Sequence, residues 1–163
     1  MLALVVTASA ARAIDDICAD NLRFALSGAG AFSGNLGLDS RYSASARSHL
    51  RSAGKLFAQG SDLALAAKYL PAVGKARKAF GQLSAATSAD NTVLSQLFTT
   101  RPNVLEAAGN LVRCALDDVI EHPAEAAKGE ALYLSGLTAA QAQDFNRALG
   151  LFRKALKKIA RFL

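Results

Sequence analysis

The segment from Phe145 to Leu163 constrains the fold more than any other stretch of the chain. At about 100° per residue, Phe145, Leu149, Phe152, Leu156, Ile159 and Leu163 fall on one side of a helix. Arg147, Arg153, Lys154, Lys157, Lys158 and Arg161 fan across the other side. A helix divided this way needs an apolar surface to pack against, and the rest of the chain has to supply it.

Helical spacing recurs upstream. Ile14, Ile17, Cys18, Leu22 and Ala25 share one face of a first helix. The stretch from Ser27 to Gly37 is so rich in glycine that it reads as a loop. Asp39 or Ser40 can cap a second helix whose stripe is Tyr42, Ala46, His49, Leu50, Ala53, Leu56 and Phe57, and Gln59-Gly60-Ser61-Asp62 reads as its end. From Leu63 to Leu83 the period continues through Pro71, which predicts a kink or a junction of two helices. A short helix is expected over Val93–Phe98 and a longer one from Thr99 to about Glu121, with Pro102 in its first turn. Pro123 opens a segment reaching Gln141, and Asp144 caps the last helix. Alanine is abundant, proline occurs three times, and β-branched and aromatic residues are scarce, so helices are favoured over strands. The expected fold is all-α: an antiparallel helical bundle or helical-hairpin array of about six or seven helices.

The N-terminus bears on the compartment. An apolar run from Leu2 to Ala8 leads to small residues and the ending Ala11-Arg12-Ala13, an order that suits a secretory signal and its peptidase site. No charged residue precedes the run, which predicts that the signal begins upstream of Met1. Residues 1–13 are then removed, and 14–163 form one exported helical domain, periplasmic or secreted. The alternative is an apolar N-terminal helix packed on the core. Cys18 and Cys114 follow the same division: one disulfide if the protein is exported, two buried small hydrophobes if it is cytosolic.

Charge is segregated. The formal net charge is +6, and every acidic residue lies at or before Asp144, so the excess sits in the last helix. Eight basic residues between Arg41 and Lys78 face Asp62 alone, whereas Glu106, Asp117, Asp118, Glu121, Glu125 and Glu130 cluster further on. The economical reading is structural, with an acidic hairpin beside basic helices. For the last helix three roles compete: a solvated face, attachment to an anionic membrane surface, and binding of a polyanion. Export and the lack of stacking aromatics make nucleic acid an unfavoured partner.

Catalytic patterns are absent from the sequence. Two histidines cannot furnish a serine–histidine–acid set with any serine in a nucleophile-elbow motif, and Ser27-Gly-Ala-Gly lacks the lysine of a phosphate loop. His49 falls on an apolar stripe and reads as a hydrogen-bonded core residue. Asp118, His122 and Glu125 have the donor types of a divalent metal site, but Pro123 interrupts the helix that would align them. No cofactor is expected.

Gly136, Phe145, Ala148, Phe152 and Ala155 follow the small and aromatic pattern of one tetratricopeptide repeat, which residues 132–155 resemble. Leu132 and Ala139 stand where that family usually has aromatics, and no second copy follows. The resemblance implies a helical hairpin contributing to a peptide-binding surface, with no binding residue carried over. Taken together, the sequence predicts an exported, non-catalytic module for a protein or peptide partner, with Arg153, Lys154, Lys157 and Lys158 attracting an acidic one. A membrane-surface protein and a metal-binding protein or enzyme centred on His122 are the alternatives.

Overall fold

Seven helices and no strand make up the described residues, 16–97 and 100–162, of the computed structural model. They are α1 (Asp16–Leu36), α2 (Ala44–Leu65), α3 (Tyr69–Ala89), α4 (Val93–Gln96), α5 (Thr100–Asp118), α6 (Pro123–Gln141) and α7 (Phe145–Ile159). The expected all-α class is what forms. Consecutive long helices run antiparallel: α1, α2 and α3 make one three-helix unit, α6 and α7 a hairpin, and α5 lies against α1, α6 and α7. Antiparallel order follows from cross-helix contacts at both ends. Ser61 Oγ donates to the Arg23 carbonyl at 3.2 Å, and Ser43 N–H donates to Asp90 Oδ2 at 3.0 Å. One cluster of buried side chains runs through the whole, with Phe80 meeting Phe57 edge-on at 6.0 Å and Phe145 at 6.2 Å. The apolar stripe of α7 is spent in this core: Leu149, Phe152, Leu156 and Ile159 are all buried.

Ser27–Gly37 does not form a loop; α1 continues through it to Leu36. The reason is packing rather than propensity. A methyl group on Gly30 would lie 3.3 Å from the Gly54 carbonyl and the Ala58 amide, and one on Gly54 would lie 3.0 Å from the Gly30 carbonyl and the Gly34 amide. The glycines let two helix backbones touch, and the tertiary contact overrides a cost of about 1 kcal/mol per glycine in a helix interior. Ile17 also departs from expectation, being 68% exposed, because the buried face is set by Leu22, Leu26, Ala29 and Ser33. Residues 1–15, which include the signal-like segment and Ile14, lie outside the described residues, as does Leu163.

The α2 boundaries move as well. Ser43, not Asp39 or Ser40, caps the helix by accepting from the Ala46 amide at 3.2 Å, while Asp39 is engaged by Arg41. At its other end α2 runs through Gly60-Ser61-Asp62, and the break falls at Ala66–Lys68. Pro71 dictates that break. Its ring would clash with the carbonyl four residues earlier in a continuous helix, so the chain stops and restarts with Pro71 in the first turn of α3.

Both α2 and α6 close with the same device and without glycine. Ala67 and Gln143 take left-handed backbones with φ of 54° and 58°. The Lys68 amide then reaches the Leu63 carbonyl at 2.8 Å, and the Asp144 amide reaches that of Ala139 at 2.9 Å, the bonding of a Schellman cap. An L-residue is strained there, so Ala67→Gly and Gln143→Gly are each expected to stabilise the protein by roughly 0.5–1 kcal/mol. Denaturation midpoints check this; a fall at either position removes the account.

Candidate partner-binding groove

Of the residues singled out in α7, Arg153 lies at the junction of this helix with α3. The two helices run antiparallel, and a groove of about 500 Å³ separates them. Gly74 and Gly81 are among its lining residues, and two arginines cross it in opposite senses. Arg153 of α7 lies over Gly74 of α3, where a methyl group would be 3.3 Å from its Nε. Arg77 of α3 lies over Gly150 of α7 at 3.5 Å by the same measure, and its Nε donates to Asn146 Oδ1 at 3.0 Å. Lys75 and Lys78 stand beside them, with Lys75 Nζ held by Gln59 Oε1 at 2.7 Å. No carboxylate lines this groove, and none pairs with Arg77 or Arg153 among the described residues. Planar guanidinium groups with free edges offer paired donors to carboxylates.

The other three expected residues separate from Arg153. Lys154, Lys157 and Lys158 are exposed and do not line the groove. Helical spacing puts Lys157 one turn beyond Arg153 on the same flank, and Lys154 with Lys158 on the next flank. Arg161 is taken up elsewhere, 3.8 Å from Glu125 and with its guanidinium over the Phe162 ring. Sequence reading missed Arg77, Lys75 and Lys78 as partners of α7. The excess of basic residues between Arg41 and Lys78 was the available signal, but it gave no register between α3 and α7.

Asp118, His122 and Glu125 do not assemble into a metal site. Among the described residues no group of three His, Cys, Asp or Glu side chains could hold a metal ion. His122 is the residue preceding α6, and its ring stacks on Phe162 at 4.3 Å. Glu125 faces Lys128 at 3.7 Å and Arg161, while Asp118 is half-buried with Oδ2 accepting no hydrogen bond. His49 is half-buried and pairs through Nδ1 with Gln82 Oε1 at 2.8 Å. Cys18 and Cys114 are joined in a disulfide that ties the start of α1 to α5, with Cα atoms 6.7 Å apart. No helix among the described residues is long and apolar enough to cross a membrane.

Residues 132–155 do sit in a helical hairpin, α6–α7, in which Gly136 makes room for the Phe152 ring. For the chain as a whole, no protein-family model, curated protein or solved structure is similar enough to count as a match.

Proposed function

We propose that this chain is an exported, non-catalytic binding module whose α3–α7 groove takes an acidic protein or peptide. The observation that carries the reading is the reciprocal crossing of Arg77 and Arg153 in a groove without a carboxylate. Two guanidiniums held over glycine, with lysines alongside, leave a positive potential with no internal counter-charge, which favours both the encounter and the orientation of an acidic segment. Burial of the α7 apolar stripe favours this over membrane attachment, since insertion would strip the core of Phe152 and Leu156. Export is supported by the Cys18–Cys114 bond, which persists in oxidising compartments.

Anisotropy with a labelled glutamate-rich peptide tests the groove. The double variant Arg77→Glu/Arg153→Glu is expected to weaken binding by roughly tenfold or more, and Lys154→Glu/Lys158→Glu by much less. Binding should also weaken as salt rises past about 0.15 M. Equal affinity for wild type and the groove double variant removes the groove from the account. Co-sedimentation with anionic but not neutral vesicles, unchanged in that variant, would put the membrane-surface reading in its place. Export is checked separately by intact mass from the native host: a chain starting near Ile14 supports it, and retention of residues 1–13 overturns it.

A further inference from the structure

A second concavity lies on another flank of α7 and is of a different kind. At one end α5 and α6 are in close contact, where a methyl group on Gly129 would lie 2.9 Å from Leu116 Cδ2 and 3.0 Å from Ile159 Cγ2. Farther along, a cleft of about 620 Å³ opens between α5, α6 and α7. Such a volume is within the range of about 300–1,000 Å³ usual for small-ligand sites. Phe152, itself buried, lies beneath it. The ring fits against Gly109 and Gly136, where added methyl groups would lie 3.4 and 2.5 Å from it, and Tyr133 tilts on it at 5.8 Å. Leu105, Leu137 and Phe145 continue the apolar lining.

Arg101 is the cation of this cleft, and it is incompletely satisfied. Its Nη2 donates to Thr87 Oγ1 at 3.2 Å, but Nε is enclosed with no acceptor. Burial pushes the guanidinium below its ordinary pKa, yet a guanidinium stays charged in proteins. Glu106, exposed at the lip, is the carboxylate among the lining residues, and it does not pair with Arg101. A half-withdrawn cation without a counter-ion is costly, and an anion that brings its own apolar body would offset that cost while covering the exposed edge of Leu137.

We infer that this cleft binds a small amphiphilic acid, with its carboxylate on Arg101 and its hydrocarbon chain along Tyr133, Leu137 and Phe145. The site is independent of the α3–α7 groove. Calorimetric titration of the full chain with laurate, dodecanol and dodecyltrimethylammonium, each below its micellar concentration, is the test. Laurate should bind one-to-one, at least tenfold tighter than the alcohol, and the cation should not bind. Shortening the acid by two carbons should weaken it roughly tenfold if the tail is buried. Arg101→Met should cost laurate about ten- to a hundredfold and leave dodecanol unchanged. Should that variant fail to fold, Ala140→Trp, which fills the cleft from α6, should abolish binding of laurate and dodecanol alike. Absence of laurate binding overturns the inference, as do equal affinities for the acid and the alcohol, or laurate binding that survives the tryptophan. Failure here leaves the glutamate-peptide result untouched.

Discussion

Replacing Cys18 and Cys114 together by serine is expected to lower the unfolding free energy by about 3–4 kcal/mol. The bond spans a sequence separation of 96 residues. Chain-entropy arguments put the ceiling for a loop that long at roughly 4.7 kcal/mol, and native strain and residual unfolded structure usually reduce the measured effect. Its ends also matter. It fastens the first turn of α1 to α5, which packs against α1, α6 and α7. Without it, the beginning of α1 depends on Leu22 and the side chains after it for its hold on the core. Guanidinium unfolding of the oxidised protein, the reduced protein and the double serine variant measures the difference. A change below about 1 kcal/mol would mean that α1 is held by packing alone.

Gly54→Ala should destabilise the protein by about 2 kcal/mol even though alanine is the better helix former. The added methyl would lie 3.0 Å from two backbone atoms of α1, and backbone cannot turn aside as a side-chain end can. Gly54→Leu should cost still more, with the α1–α2 crossing forced apart. Gly28→Ala supplies the opposite sign. Nothing lies within 4 Å of the methyl it would carry, so it should stabilise by about 0.5–1 kcal/mol through helix propensity. Thermal or chemical denaturation of the three variants decides the point. Equal effects at positions 28 and 54 would show that the crossing is not a close backbone contact.

The same glycines explain what the sequence could and could not reveal. Apolar period survives in α7, and Asp144, Pro123 and the α6 span were all legible, because side chains of contrasting polarity report a helix face directly. In α1 the packing face is made of Gly30, Ala29 and Ser33, whose small size is the adaptation and whose composition is that of a turn. Pro71 announced a break, but its site at Ala66–Lys68 carries no glycine and so left no mark. Arg153 was legible as part of a basic flank, whereas its counterpart Arg77 became visible only with the antiparallel register of α3 and α7. The α5–α6–α7 cleft was illegible for a related reason. Tyr133 and Phe152 look like ordinary core residues in sequence, and only the separation of α5 from α6 leaves Tyr133, above the buried Phe152, partly open.

The position of the disulfide gives the molecule a covalent topology that the helix order conceals. Residues 18–114 form a closed ring, and everything from Ala115 onward is a tail laid across it. Both surfaces assigned to binding lie on that seam, one where α7 of the tail meets α3 of the ring and the other where the tail hairpin meets α5. The hairpin has no crosslink of its own, so its docking is reversible in a way that the ring's closure is not. An occupant of either surface would therefore act as a second, non-covalent clasp, and its affinity would reappear as added resistance of the hairpin to detachment.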